Sequence, residues 1–295
     1  MDLRSLRTLV EVVRQGSFSK AAQVVCTTQS AVSKAIKNLE NELDLSLLDR
    51  TANPVRLTDA GQIVYRRAMT MLNEREDLLS ELDALRGLER GVLRLGMPQL
   101  GSHTLFASLF VRYRKLYPGV EVRLVEDGSR RLEELVAAGE LDLAATLEST
   151  NSEFETQLVR SDSVEVLVAS DHPLAKRSVV SMSDLADQPF ILFEDGFGLN
   201  TLILEACHLA RFNPKVAARS GQVDFILALV AAQTGIGFLP EMVAREREQA
   251  GIRRLRIATP GINWRIVVIW RRGGFLSRAA TAWLELLTKT QPSAL

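Results

Sequence analysis

Cysteine and histidine are scarce in this 295-residue sequence: there are two cysteines, Cys26 and Cys207, and three histidines, His103, His172 and His208. Two distant cysteines build no disulfide framework, neither has the nearby second cysteine of a CxxC metal site, and the scattered histidines add no ligand cluster. No metal and no cofactor is expected. Charge of one sign is missing as well, since 36 Lys and Arg meet 36 Asp and Glu. A globally basic coat is thereby excluded, and any DNA site has to be local. Long hydrophobic runs are also absent: the uncharged stretch 225–240 is broken by Gln233, Thr234, Gly235 and Gly237 and falls short of the ~20 apolar residues of a spanning helix. The opening MDLRSLRTLV places Asp2 and two arginines where a signal peptide needs a short basic stretch and an apolar run. The expectation is a soluble cytoplasmic protein with no membrane contact. What is present is a 46% hydrophobic composition, enough for about two domains with their own cores; disorder and collagen-like repetition are excluded.

Leu3, Leu6, Val10 and Val13 recur at helical spacing up to Gln15-Gly16, where glycine suits a helix end. Ser17 is placed to cap a second helix with an inner face of Phe18, Ala21, Ala22 and Val25. After a short Cys26-Thr27 turn, Thr28 is the cap of a third helix that buries Val32, Ile36, Leu39 and Leu43. The opposite face of that helix carries Gln29, Ser30, Ser33, Lys34 and Lys37. Two short helices joined by a tight turn, the second apolar inside and donor-rich outside, match a helix-turn-helix that enters the major groove. Between Glu11 and Glu40 the basic residues are Arg14, Lys20, Lys34 and Lys37, with no acidic one, so phosphates meet a locally positive face. A small helical bundle with a solvated charged face has the same spacing. Gln29 can offer an amide to adenine, the lysines can donate to guanine or phosphate, and the serines can do either. Which of them reads bases stays open.

The segment GSFSKAAQVVCTTQSAVSKAIKNLENELDLSLLDRTANPVRLTDAG, residues 16–61, closely resembles the winged helix-turn-helix of LysR-type transcriptional regulators. EDGSRRLEELVAAGELDLA and LVAAQTGIGFLPE extend the likeness over essentially the whole chain. The resemblance implies that Thr28, Gln29, Ser30, Ser33, Lys34 and Lys37 meet the groove, and that Arg50 and Thr51 open the wing and contact the backbone. It also implies the partners: promoter DNA, a small effector, a second copy in a homodimer or homotetramer, and RNA polymerase. Two departures stand out. Ser30 occupies a position where most members have proline, and Ala52-Asn53-Pro54 replaces a wing tip that is often basic.

From Thr58 to about Leu88 no proline intervenes, and one long helix is expected. Val64, Ala68, Met71, Arg75, Leu78, Leu82 and Leu85 alternate by four and three, the spacing of a coiled-coil seam. Dimerisation through Val64, Met71, Leu78, Leu82 and Leu85 is therefore expected; the alternative is that these residues pack on the chain's own C-terminal domain. Beyond Gly91 short apolar strands alternate with amphipathic helices, the pattern of an α/β fold with largely parallel sheets. The organisation is thus an all-α winged helix-turn-helix over 1–58, a linker helix over 59–89, and an effector domain over 90–295. By resemblance the last is two-lobed and like periplasmic solute-binding proteins, with lobe I at 90–161 plus 264–295, lobe II at 162–263, and crossings near Ser161 and Asn263.

In open α/β sheets, ligands sit outside the carboxyl ends of strands, where helix N-termini present free N–H groups to anions. The matching loops are 98–102, Gly128-Ser129 and 197–200. LysR-type members bind small effectors, often anions, at such places, which implies contacts from Gln99, Leu100, Gly101, Ser102, Gly128, Ser129, Phe197, Gly198, Asn200 and Gln222. Each serine equally fits a plain helix cap.

No enzyme is expected. Ser17-Phe18-Ser19-Lys20 satisfies S-x-x-K by chance, without its companion motifs and inside the DNA-reading unit; no G-x-S-x-G, Walker A or HExxH occurs. Two readings compete with the regulator, a stand-alone solute-binding carrier and an enzyme built on a two-lobed cleft. Peroxide-sensing LysR members use a cysteine pair in the region after LFEDG. By that likeness Cys207 matches the resolving cysteine while Gly198 stands at the reactive position, so a sensor disulfide lacks its nucleophile. Cys207 reads as a small core residue, and Cys26 as a turn residue beside the DNA.

Overall fold

Side-chain caps start the first three helices. The computed structural model describes residues 1–49, 54–85, 91–149, 151–274 and 276–290, apart from the side chains of 76, 77, 80, 81, 83–85 and 290. Helix α1 (Leu3–Gln15) begins where Asp2 Oδ1 accepts from Ser5 N at 2.7 Å and ends at Gly16, in the left-handed region at φ 59°. Helix α2 (Phe18–Val24) is capped by Ser17, and α3 (Gln29–Leu43) by Thr28, whose Oγ1 accepts from Ala31 N at 3.2 Å. Strands β1 (Leu48–Asp49) and β2 (Arg56–Leu57) pair antiparallel as a small wing. Glu40 Oε1 accepts from Leu47 N at 2.9 Å and so ties α3 to the wing. Leu6, Leu9, Val32, Ile36, Leu39 and Leu47 are all nearly inaccessible, and burying each such side chain stabilises the head by about 1.5–3 kcal/mol.

The linker helix α4 (Asp59–Leu85) has 27 residues, a rod of about 40 Å at the usual rise. Its start is tight: a Cβ on Gly61 would stand 2.0 Å from the carbonyl oxygen of Leu47. The expected dimer seam divides here. Ala68 is buried in the head's own core beside Tyr65 and Met69, and Val64 packs on that core, so this end of the seam is covered by the chain itself. Met71, Leu78 and Leu82 are 43%, 57% and 43% exposed. The side chain of Leu85 lies outside the described residues.

Lobe I opens with β3 (Gly91–Pro98), α5 (Ser102–Leu116), β4 (Val120–Asp127), α6 (Ser129–Ala138) and β5 (Leu143–Leu147), with β3 parallel to both β4 and β5. Strand β6 (Phe154–Ala169) then runs through both lobes. Lobe II holds β7 (Val179–Val180), β8 (Pro189–Phe193), α7 (Gly198–Leu209), β9 (Lys215–Ser220), α8 (Val223–Ala231), β10 (Gly237–Pro240), α9 (Glu241–Glu246) and β11 (Ile252–Ile257). The chain returns through β12 (Asn263–Arg271) and closes with α10 (Arg278–Thr290) on α5, where Tyr113 donates to the Ala279 carbonyl at 2.9 Å and packs edge-on against Trp283. The main sheet runs β4-β3-β5-β12-β6-β11-β7, with β10 also paired to β6.

The largely parallel sheet expected from the alternation of elements is found only in part. Every neighbour of β6 and of β12 is antiparallel, because these two strands are the crossings between lobes and run in opposite directions. They hold each other from Asn263 against Ser163 to Arg271 against Phe154.

Candidate functional site

On the head, Thr28, Gln29, Ser30, Lys34 and Lys37 are exposed on one side of α3, with Ser33 half-buried among them. Ser19 of α2 donates to Gln29 Oε1 at 3.0 Å, which engages the amide oxygen and leaves the amide nitrogen as the donor for a partner. Thr28 and Ser30 share a hydroxyl contact of 2.9 Å at the helix start, where the positive end of the helix dipole favours a phosphate. Lys20 on α2 and Arg56 on the wing are exposed cations of the same unit. The candidate wing residues Arg50 and Thr51 lie outside the described residues.

The second site is the junction of the lobes. Helices α5, α6 and α7 have 15, 10 and 12 residues, and their N-cap residues Gly101, Gly128 and Phe197 provide no side-chain cap. The starts of α6 and α7 border one small cavity, lined by Gln99, Leu100, Asp127, Gly128, Ser129, Phe197 and Gly198 together with Trp264; α5 contributes only the loop that precedes it. The contrast with the side-chain-capped helices of the head is physical: the first-turn N–H groups of α6 and α7 have no side-chain cap, although the Gly128 N–H just before α6 donates to Asp127 Oδ1 at 2.7 Å. The cavity measures about 20 Å³, room for about one water, so the lobes are closed on each other. A Cβ on Gly128 would stand 2.1 Å from the Gly196 carbonyl oxygen, and one on Gly198 would stand 2.4 Å from Leu147 Cδ1. Glycine at both positions is what lets the lobes approach.

Beyond Ser129, Leu147, Phe197 and Gly198 the cavity continues as an open groove of about 700 Å³. Its charge is mixed: Arg130, Arg219 and Arg265 stand with Glu133, Glu148, Asp195 and Glu205. Arg265 pairs with Glu148 at 2.8 Å and Arg219 with Asp195 at 3.3 Å, while burial pushes the Glu133 carboxyl above the usual carboxylate range. The hinge beside it is closed by Ser161, which donates to Asn263 Oδ1 at 2.9 Å.

The remaining effector candidates occupy different places. Ser102 donates back to the Pro98 carbonyl, and Ser129 Oγ accepts from Leu147 N at 3.1 Å. Leu100 is buried, and Gly101, at φ 82°, lies against Trp264. Gln99 is exposed at the cavity rim. Asn200 lines the open groove, with its side chain engaged by its own lobe: its Oδ1 accepts from Phe193 N at 3.1 Å, and its amide donates to the carbonyls of Phe193 and Glu194 at 2.9 and 3.0 Å. Its work is to hold the loop that carries Phe197, which stacks on Phe193 at 4.7 Å. Gln222 is exposed and borders neither the cavity nor the groove. Cys207 is fully buried, and burial pushes its thiol up to about 11; Cys26 is exposed.

One set of contacts has no counterpart in the sequence pattern. Helix α6 begins at the lobe junction with Ser129 and ends at Gly139, and there the linker helix grips it. Asn73 of α4 donates to the Gly139 carbonyl, and Tyr65 donates to Glu140 Oε1 at 3.0 Å. Arg271, at the end of β12, donates to Thr70 Oγ1 at 3.0 Å. The Tyr65 hydroxyl is pushed up to about 12, first by burial and then by the Glu140 carboxylate.

Comparison with known proteins follows the same division. The family described as "Bacterial regulatory helix-turn-helix protein, lysR family" matches residues 3–62, and that described as "LysR substrate binding domain" matches residues 86–292. The HTH-type transcriptional regulator YwbI of Bacillus subtilis is 36% identical over 286 residues, which cover 97% of this chain and 95% of that protein. Among solved structures, a full-length OxyR variant from Pseudomonas aeruginosa superposes with a TM-score of 0.76 at 23% identity, over 98% of this chain and 94% of that one, and shares its fold. Full-length BenM superposes with a TM-score of 0.60 at 26% identity, over 98% and 95%. No helix among the described residues is long and apolar enough to cross a membrane.

Proposed function

Because the chain belongs to the LysR family of DNA-binding transcriptional regulators, we propose that α3 reads promoter DNA while a small effector with a negatively charged end, seated between the lobes, sets the position of the head. The observation that carries this reading is the convergence of two helix N-termini, one from each lobe and both without side-chain caps, on one cavity at the lobe junction. An anionic group there accepts from backbone N–H groups and meets the positive ends of two helix dipoles. Gly128, Ser129, Phe197 and Gly198 line both the cavity and, except for Gly128, the groove outside it. The mixed charge of that groove favours an effector whose remaining surface is polar rather than uniformly anionic.

Opening the cavity to admit such a molecule separates Gly128 from Gly196 and displaces the start of α6. The helix has 10 residues, a stiff rod of about 15 Å, and Asn73 and Tyr65 fasten its far end to α4. Displacement at the cleft thereby reaches the linker helix, and the head moves with it because Ala68 and Met69 of α4 are part of the head's core. The effector selects among head positions through its differential fit to open and closed lobes. In a dimer joined along Met71, Leu78, Leu82 and Leu85, two such heads address two half-sites whose spacing the linker sets. Contact with RNA polymerase from the bound promoter belongs to the same proposal. So does the reading of the chain as a binding protein and not an enzyme, which rests on its relatives being regulators.

A salt-titrated gel shift of the purified protein on the DNA upstream of its own gene tests the proposal. Specific retardation that weakens steeply with salt is the expected result. Binding no tighter than to random DNA at low salt, together with tight capture of a small metabolite, would favour the carrier reading instead.

A further inference from the structure

The junction between the head and lobe I encloses a groove of about 920 Å³, on the opposite end of α6 from the effector cleft. Its floor is apolar, with Val10, Met69 and Leu141 each nearly inaccessible. Its rim is formed by arginines from four elements: Arg4, Arg7 and Arg14 on α1, Arg75 on α4, Arg94 on β3 and Arg123 on β4. Among the described residues two carboxylates, Glu11 and Glu140, share that lining. Glu140 already accepts from Tyr65, and Glu11 lies 3.7 Å from Arg14. From outside the groove Asp142 pairs with Arg94 at 3.3 Å and Glu121 with Arg123 at 2.8 Å.

The surplus of positive charge therefore sits on the head. Among the described residues neither Arg4 nor Arg7 has a carboxylate within salt-bridge distance, Asp2 being the acidic group that feels Arg4 from farther off, and both arginines are exposed. Three residues apart on α1, they are neighbours on one helix face. Like charges held together over a buried apolar floor are not explained by folding, since they repel and gain nothing from each other. They are explained by a ligand with complementary charge, because guanidinium groups pair bidentately with carboxylate, phosphate and sulfonate.

We propose that this groove is a second ligand site, for a small organic polyanion: a compact apolar body bearing two or more acidic groups. The groove volume lies within the range of small-molecule sites. Arg4 and Arg7 travel with the head and Arg94 and Arg123 with lobe I, so a polyanion held by both sets fixes the head against lobe I. The site is independent of the effector cleft and does not rest on what that cleft binds.

The test uses pyrenetetrasulfonate, a rigid aromatic dye with four negative charges, titrated by fluorescence anisotropy into the full-length protein at low salt. Wild-type protein should give saturable binding with one dye per chain. The Arg4→Gln/Arg7→Gln variant and, from the other wall, Arg123→Gln should each weaken binding by about tenfold or more, one charge-assisted pair being of that order. Arg130→Gln/Arg219→Gln, in the groove beside the effector cleft, should leave dye binding unchanged. Should Arg4→Gln/Arg7→Gln melt early, Arg123→Gln decides alone. Wild-type affinity in Arg123→Gln, loss of binding in Arg130→Gln/Arg219→Gln, or the absence of saturable binding in the wild type would overturn the proposal.

Discussion

Asn73, in the middle of the linker helix, donates its side-chain amide to the carbonyl of Gly139, the residue that ends α6. The contact joins positions 66 residues apart and is buried, so the linker does not merely pass beside lobe I but is fastened to it. Gly139 suits the place, since at φ 76° it turns the chain sharply and presents its carbonyl to the neighbouring helix.

Asn73→Ala removes that donor and leaves a buried carbonyl unpaired, which costs about 1–3 kcal/mol of stability. Its signature is functional: operator affinity without effector should stay near wild type while the effector-dependent change in affinity shrinks. Paired gel shifts with and without an inducing metabolite read both quantities.

Gly128→Ala should act in the opposite sense. Its new Cβ meets the Gly196 carbonyl oxygen, so the lobes open without ligand. Reporter expression in the absence of inducer should move toward the induced level, and wild-type basal expression in that variant would refute a closed-lobe resting state.

Lys34→Ala removes one cation from the exposed face of α3. The slope of log affinity against log salt should fall by ~0.9 if Lys34 meets a phosphate, whereas a base contact should relax specificity at one position. Effector binding, followed by calorimetry, should be unaffected.

Leu82→Asp places a charge on an exposed apolar position of α4. The chain should remain folded and sediment as a monomer, with operator binding lost alongside the dimer. A stable dimer in that variant would move the interface away from this end of the helix.

Much of the head was legible because its signals are local. Ser17 and Thr28 cap helices where their short polar side chains precede apolar periodic runs. Ser161 and Asn263, which the family resemblance places near the crossings between lobes, hydrogen-bond to each other. Three things were not legible. The first half of β6 carries Glu155, Gln157, Arg160 and Asp162, and β11 carries three arginines, so neither shows the apolar run that marks a strand. Val64 and Ala68 keep heptad spacing with Leu78 and Leu82, yet the same stripe serves the head's core at one end and is exposed at the other; periodicity gives a face, not a partner. Asn73, Tyr65 and Thr70 meet partners 66, 75 and 201 residues away, contacts that leave no trace in local pattern.

Cys207→Ser should leave regulation unchanged and wild-type protein should not respond to peroxide. The Cys207 thiol is fully buried and pushed up to about 11, which withholds the reactive thiolate. A maleimide reagent should label one site, Cys26, in the folded protein and two after denaturation.

That difference between the cysteines also opens the most direct view of the head. A nitroxide on Cys26 of each chain reports the distance between heads in the dimer by electron–electron resonance, with no cysteine added or removed. Gly128→Ala should shift the distance distribution relative to wild type, and adding Asn73→Ala should return it. An unchanged distribution in Gly128→Ala, or a shift that persists without Asn73, would contradict transmission from the cleft through α6 to the linker helix.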